Sequence, residues 1–172
     1  QNIQSTAKGN LMLHEVCRNN PPLQVINALV KLSPGAVKAK GGKGYLPLHY
    51  ACATDASPDV MQILLEAFPA SIRMRDTNDL MIPLHFACKW GASADVVEIL
   101  NEAYPEGRQV RDIYAKTPVD YANGLREEQR SSTLRILESS LHSRSTASSY
   151  ARSVPSTDTS VSEVLSEALS MA

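Results

Sequence analysis

Three histidines at nearly constant spacing are the feature that most constrains the fold of this chain. His14, His49 and His85 lie 35 and 36 residues apart, and Asp120 comes another 35 residues on. The residues around them repeat as well, in NLMLHEVC (10–17), GYLPLHYAC (44–52), LMIPLHFAC (80–88) and AKTPVDYAN (115–123). Copies at a fixed period indicate one supersecondary unit that stacks on its neighbours and shares a continuous core with them.

Two helices per unit are predicted by recurring prolines and by the apolar residues that precede them. A proline stands 20 residues after each histidine, at Pro34, Pro69 and Pro105. An apolar pattern at positions i, i+1 and i+4 comes before each of them, in Val25, Ile26, Leu29; Val60, Met61, Leu64; and Val96, Val97, Leu100. The common phase predicts one buried helix face per unit. Each unit should therefore contain a helix, a turn, a second helix that stops at proline, and an exposed connection.

The helix starts carry signals of their own. Pro47, Pro83 and Pro118 suit the first turn of a first helix, where the missing N–H costs nothing. Ser57 and Ser93 are expected to begin the second helices, because a serine hydroxyl can accept a hydrogen bond from a free backbone N–H.

The unit resembles the ankyrin repeat, whose signature is roughly D-x-x-G-x-T-P-L-H-x-A. GYLPLHYA and LMIPLHFA match it in part, and DIYAKTPVDYA matches it near the end of the array. The resemblance implies an all-α ankyrin-repeat solenoid of about four helix-turn-helix units with short β-turn fingers. The units span about 5–36, 37–71, 72–107 and 108–141, after an N-terminal extension over 1–4.

Several positions depart from the family pattern. The motif threonine is present only at Thr117; Leu46 and Ile82 replace it and cannot cap a helix, a loss of about 1 kcal/mol each. The finger glycine is kept at Gly9 and Gly44 but is absent from the third and fourth units. The units are also longer than the usual 33 residues or so, so their loops are not expected to adopt standard geometry.

The two ends of the chain have different compositions from the repeats. Residues 142–172 begin with a Ser/Thr-rich stretch that predicts disorder. An apolar stripe then recurs over 160–172. It indicates either a weakly helical end or a short helix that docks on the stack or on a partner. The chain begins with glutamine rather than methionine, so we expect a piece of a longer polypeptide.

Charge and cysteine content restrict the class of protein. The net charge is −1, and no aromatic-basic platform is evident, which argues against nucleic acid as a partner. No apolar run reaches the roughly 20 residues of a membrane-spanning helix. Cys17, Cys52 and Cys88 occupy equivalent places in stacked units about 8–10 Å apart, too far for disulfides. Free thiols predict an intracellular protein, cytoplasmic or nuclear.

Catalysis, metals and cofactors are not predicted. Each unit offers only one histidine and one cysteine, whereas zinc needs about four converging ligands. No Gly-rich phosphate loop or nucleophile motif is present. The histidines are instead expected to hydrogen-bond between finger and helix, and the cysteines to pack in the core.

The charges indicate which surface binds a partner. The connections carry Lys38, Lys40, Lys43, Arg73, Arg75, Arg108, Arg111 and Lys116, against Asp76, Asp79, Glu106 and Asp112, whereas the second helices carry Asp59, Glu66, Asp95, Glu98 and Glu102. This distribution is either ordinary solubility or a mildly basic edge that steers a partner with an acidic surface.

The family resemblance implies that partners bind the fingers and the exposed ends of the first helices. By position, the predicted partner-binding residues are Lys43, Tyr45, Met81, Lys89, Trp90, Tyr114 and Lys116. Exposed aromatic and Met side chains beside cations are typical of interface hot spots. Trp90 is also open to a packing role against the neighbouring repeat.

We therefore predict a non-catalytic, monomeric scaffold that binds a partner protein. The alternative is a targeting or regulatory segment of a larger enzyme or membrane protein. Neither the partner nor the upstream sequence is evident from the residues.

Overall fold

The computed structural model describes residues 12–19 and 22–139, and these form a row of helix pairs. The eight α-helices in this part are α1 (Met12–Arg18), α2 (Leu23–Leu32), α3 (Pro47–Ala53), α4 (Pro58–Ala67), α5 (Pro83–Trp90), α6 (Ala94–Ala103), α7 (Pro118–Ala122) and α8 (Glu127–Ser139). No strand occurs among the described residues. The predicted all-α fold with four helix pairs is confirmed. The finger glycine Gly9, the extension over 1–4 and the tail over 142–172 lie outside the described residues.

The first helices form one row and the second helices another. Helices α1, α3, α5 and α7 pack side by side in chain order, and α2, α4, α6 and α8 do the same behind them. The core is mainly aliphatic, and Phe86 is the one buried phenyl ring among the described core residues. Val60, Met61, Val96 and Val97 are buried, as the apolar pattern predicts.

The first copy of the apolar pattern departs from that prediction. Val25 is 40% exposed, whereas Ile26 beside it is fully buried. Helix α2 stands first in its row, with only α4 of the described second helices packed against it. One flank of α2 therefore lacks the neighbour that would bury a residue at this position.

The predicted helix starts are correct, but the serines act differently from the expectation. Prolines begin α3, α5 and α7, and Ser57 and Ser93 immediately precede α4 and α6. Neither serine side chain makes a capping hydrogen bond. Their expected capping role is therefore wrong, although the boundaries that they mark are right.

Histidine supplies one of the two reciprocal capping bonds in the second and third units, and the bond that a threonine would accept is missing. The backbone N–H of Leu46 donates to Nδ1 of His49 over 3.1 Å, and that of Ile82 donates to Nδ1 of His85 over 3.2 Å. In the fourth unit the reciprocal pair is complete, because Thr117 N–H donates to Asp120 and Asp120 N–H donates to the Thr117 hydroxyl. The N-terminal groups of α3 and α5 are thus partly satisfied without a capping side chain at Leu46 or Ile82.

The connections after the second helices are more regular than predicted. Each proline that ends a second helix begins a five-residue 3₁₀ helix, at Pro34–Lys38, Pro69–Arg73 and Pro105–Gln109. A cation near the end of each lies against the end of the second helix that follows. The Lys38 ammonium lies 5.7 Å from the Phe68 ring centroid, the Arg73 guanidinium lies 4.6 Å from that of Tyr104, and Arg108 donates to the Leu137 carbonyl over 2.9 Å. These three cations join each connection to the helix pair that follows it.

No helix among the described residues combines the length and the apolar character that crossing a membrane requires.

Candidate interaction surface

The fingers are tight turns, and a backbone hydrogen bond joins the two ends of each. Finger 2 (residues 41–45), finger 3 (76–81) and finger 4 (112–116) close from the first N–H to the last carbonyl over 2.8, 3.0 and 2.9 Å. Single bonds join adjacent fingers. Thr77 N–H donates to the Lys43 carbonyl over 3.0 Å, and Ile113 N–H donates to the Asp79 carbonyl over 2.9 Å. The fingers therefore form a linked row beside the first helices.

Buried carboxylates hold fingers 3 and 4 in shape. Asp76 is 1% exposed and accepts hydrogen bonds from the backbone N–H groups of Asn78, Asp79 and Met81. Asp112 is 7% exposed and accepts from two N–H groups of its own finger. Counting these two residues among the surface charges was therefore wrong. Asp112 stands at the start of the D-x-x-G motif, which was the available signal, whereas Asp76 lies one residue before that position because finger 3 is one residue longer.

Asp112 also links finger 4 to α7. The hydroxyl of Tyr121 donates to Asp112 Oδ2 over 2.5 Å. Burial raises the pKa of Asp112, but the hydrogen bonds from Tyr121 and from the finger outweigh it, so the pKa lies below its usual value. The carboxylate is therefore held in its charged form, and it fixes the finger that carries Tyr114 and Lys116.

The glycine pattern of the fingers has a steric basis in finger 2. Gly44 has φ +75°, and a Cβ there would lie 2.6 Å from the Thr77 side chain and 2.8 Å from its backbone nitrogen. Fingers 3 and 4 place Leu80 (φ +56°) and Ala115 (φ +58°) in the same left-handed region. The missing glycines thus leave strained residues at a positive φ just before the last residue of fingers 3 and 4.

Of the histidines expected to hydrogen-bond between finger and helix, His85 does so, His14 bonds to the connection before finger 2, and His49 makes no bond to any of the described fingers. His14 Nε2 donates to the Ala39 carbonyl over 3.0 Å, and His85 Nε2 donates to the Lys116 carbonyl over 3.2 Å. His49 Nε2 is buried and has no hydrogen-bond partner among the described residues. Burial lowers the pKa of His49 to about 4 and lowers that of His85 as well. Both rings are neutral structural groups at neutral pH.

A groove of about 640 Å³ runs along the face where finger 2 meets the first helices. Its lining residues are Arg18, Gly42, Lys43, Tyr45, Tyr50, Ala53, Thr54, Phe86 and Trp90. The Tyr45 ring meets Tyr50 at a centroid distance of 5.5 Å and Phe86 at 5.2 Å, edge to face in both cases. Such an aromatic wall offers apolar contact area without side-chain flexibility.

A cluster of cations and rings adjoins the groove. The Lys89 ammonium lies 6.0 Å from the Trp90 ring centroid and 5.6 Å from that of Tyr121. The Lys116 ammonium lies 5.5 Å from the same Tyr121 ring. Trp90 therefore connects the groove to a second group of cations on α5 and finger 4.

The predicted partner-binding residues fall into three groups. Lys43, Tyr45 and Trp90 line the groove. Lys89 and Lys116 belong to the adjoining cluster. Tyr114 is 64% exposed on finger 4. Sequence reasoning missed Arg18, Tyr50 and Phe86 as groove residues. Tyr50 and Phe86 each stand directly after the recurring histidine, so the sequence showed that they occupy equivalent positions in successive repeats.

Met81 is not an exposed residue, contrary to the prediction. Its exposed fraction is 0%, and its backbone N–H donates to the Asp76 carboxylate over 2.9 Å. Tyr45 and Lys116 close their fingers at the same place and carry polar tips that reach water, whereas Met81 has none and packs in the core. Met81 cannot contact a partner directly.

The cysteines offer no reactive site on this surface. Cys17, Cys52 and Cys88 are free and buried. Burial raises the pKa of Cys17 and of Cys88 to about 12, and raises that of Cys52 as well. The thiol rather than the thiolate is therefore the stable form. No group of three or more potential metal ligands occurs in the described part of the chain.

Comparison with protein families identifies the repeat. A family model described as ankyrin repeats (3 copies) matches residues 13–111, more than half of the 172 residues. Among curated proteins, none matches the chain.

Proposed function

The chain belongs to the ankyrin-repeat family, and on that premise we propose that it binds a partner protein through the groove and the fingers. Ankyrin repeats are in general protein–protein interaction modules and are typically non-catalytic. The proposed contact residues are Lys43, Tyr45, Lys89, Trp90, Tyr114 and Lys116, with Arg18, Tyr50 and Phe86 added by the geometry of the groove.

The exposure of Trp90 is the observation that supports this proposal most. Its side chain is 62% exposed at the end of α5, although tryptophan is usually well covered in a folded protein. It shares the groove with Tyr45, Tyr50 and Phe86, and the Tyr45 ring packs edge to face against the other two. A large ring left open at a concave, rigid site is typical of an interface hot spot.

The proposed setting is intracellular, in the cytoplasm or nucleus, because buried, unpaired thiols are compatible with a reducing compartment. A monomer is the proposed state of the free protein.

Affinity capture with matched variants tests the proposed surface. Partners captured from the source cell by the wild-type chain are identified by mass spectrometry, and their affinities are then measured with purified proteins. Trp90→Ala and Tyr114→Ala should each weaken binding by about 2 kcal/mol, a typical hot-spot cost. Thermal stability should change little, because both side chains are exposed.

The control lies on the opposite face. Glu98 is exposed on α6, in the second row of helices, and Glu98→Lys should leave binding almost unchanged. Lys43→Glu and Lys116→Glu should slow association, with an effect that fades at high salt. If Glu98→Lys abolished binding while Trp90→Ala did not, the partner would occupy the other face and the proposal would be wrong.

A further inference from the structure

Two cations at the groove have no acidic counterpart among the described residues of the lining. Arg18, which ends α1, and Lys43, in finger 2, are exposed and line the groove. Neither makes an ion pair with any of the described residues. None of the described residues that line the groove is acidic. This described lining therefore carries two positive charges and no negative charge.

The rest of the protein does not share this excess of positive charge. The net charge of the whole chain is −1. Exposed carboxylates lie on the second helices, with Asp59 and Glu66 on α4 and Glu98 and Glu102 on α6. An acidic molecule is thus repelled from the second row of helices and attracted at the groove. This separation favours one orientation of an acidic partner.

Aromatic rings share the lining with the two cations. Tyr45, Tyr50 and Phe86 form the mutually packed wall, and Trp90 offers the most exposed ring. The groove volume of about 640 Å³ is within the range of roughly 300–1,000 Å³ that is typical of sites which enclose bulky groups. One large apolar side chain of a partner can therefore be covered there.

We propose that the groove binds an acidic stretch of polypeptide that carries an aromatic side chain. The partner's ring packs against Trp90 and the aromatic wall, and its flanking carboxylates pair with Arg18 and Lys43. This inference rests on the proposed function and specifies the chemistry of the partner.

Ring geometry favours a polypeptide over a single-stranded nucleic acid. Nucleic-acid grooves of this kind stack bases on open aromatic faces. In this groove Tyr45 meets Tyr50 and Phe86 edge to face, at interplanar angles of 82° and 80°. The Lys89 ammonium also lies over the Trp90 ring. The rings therefore do not form a row of parallel open faces for bases.

Trp90 provides a direct reporter of occupancy, because it is the only tryptophan in the chain. The full chain is titrated with a random copolymer of glutamate and tyrosine, with excitation at a wavelength that tyrosine does not absorb. The Trp90 emission should change in a saturable way. The affinity should fall by about tenfold or more when ionic strength rises from about 0.05 to about 0.5 M. A glutamate homopolymer should bind about tenfold more weakly, since it lacks the ring.

Charge reversal locates the contact. The double variant Arg18→Glu/Lys43→Glu keeps Trp90 and should weaken copolymer binding by about a hundredfold. Lys31→Glu/Arg135→Glu changes the net charge equally but lies on exposed positions of α2 and α8. This matched control should change the affinity less than about threefold, since its charges lie away from the groove. Circular dichroism shows whether both variants are folded.

Several results would overturn the inference. One is an equal loss of copolymer affinity in the two double variants. The others are tighter binding of a lysine–tyrosine copolymer, or of an oligothymidylate, than of the glutamate–tyrosine copolymer. The captured cellular partner separates this failure from failure of the proposed function. If Trp90→Ala loses that partner while Arg18→Glu/Lys43→Glu retains it, the groove binds a protein and the acidic chemistry is wrong.

Discussion

His49 should make the stability of this protein depend on pH in a range where few of its other groups titrate. Its ring is fully buried, its Nδ1 accepts the N–H of Leu46, and its Nε2 has no hydrogen-bond partner among the described residues. Burial is the main reason that its pKa falls from 6.5 to about 4. Folding therefore requires the neutral ring.

Proton linkage determines the sign and size of the effect. Between these two pKa values the unfolded chain binds a proton at this position and the folded chain does not, so stability rises with pH. The contribution of His49 is complete above about pH 6.5 and is lost as pH falls towards about 4. A difference of one in pKa corresponds to about 1.4 kcal/mol, so the full loss is about 3 kcal/mol, of which about 2 kcal/mol is lost by about pH 5.

The matched variant is His49→Asn. An asparagine oxygen can accept the Leu46 N–H, as the carboxylate of Asp120 accepts the equivalent N–H in the fourth repeat. The free energy of unfolding in urea, monitored by circular dichroism, is measured for both proteins near pH 7 and near pH 5. Wild type should lose about 2 kcal/mol more than the variant between these values. The contributions of the other titrating groups to this pH dependence cancel in the comparison, including that of His85, whose pKa is also lowered by burial.

Asp112 does not interfere in this range. Its pKa is lowered below the usual carboxyl value, so its contribution to stability is present above that value and is lost only at lower pH. Equal losses of stability in wild type and His49→Asn between about pH 7 and about pH 5 would refute the reasoning.

Four further outcomes are expected. Gly44→Ala should destabilise the protein by about 2 kcal/mol in urea unfolding, because its Cβ would lie 2.8 Å from the Thr77 backbone nitrogen at a positive φ. Ala115→Gly should instead stabilise it by roughly 0.5 kcal/mol, since it relieves a φ of +58°. Arg73→Ala should lower stability by about 0.5–1 kcal/mol by removing the contact with Tyr104, and a Tyr104→Leu background should abolish that difference. The three buried cysteines should react with a thiol reagent only as fast as the protein unfolds; rapid labelling of the folded chain would contradict this.

Much of the fold was predictable because the histidines and the prolines recur with the same period. The histidine spacing set the period, and the prolines marked starts and stops at independent positions. The structure places the starts of α3 and α5 at Pro47 and Pro83, and ends α4 and α6 two residues before Pro69 and Pro105. These four helix boundaries were thus indicated both by the repeat period and by a proline.

The 3₁₀ connections were not predictable in the same way. A proline after a helix is a stop signal, and it carries no information on the conformation of the residues beyond it. A 3₁₀ helix of five residues, such as Pro69–Arg73, is too short for a periodic apolar pattern. The contact from Arg73 to Tyr104 depends on how the connection packs against the following helix pair, which no local pattern encodes.

The site was predicted in part for a similar reason. Alignment with the repeat identified which positions lie on the fingers and at the first-helix ends, and Lys43, Tyr45 and Trp90 do share a groove. Burial at those positions depends on the side chain. Met81 stands where Tyr45 and Lys116 stand in the other fingers, but it is apolar throughout and is fully buried.

His49 and Trp90 link the stability of this protein to its proposed recognition surface. His49 lies beneath the groove, with its ring 5.0 Å from Phe86 and 6.2 Å from Tyr45 between centroids. Its burial lowers stability in acid, but the same contacts support the aromatic wall. Trp90, by contrast, is largely exposed at the end of α5. Because support and contact belong to different side chains, substitution of Trp90 can report on binding without unfolding the groove, whereas substitution of His49 reports on the scaffold.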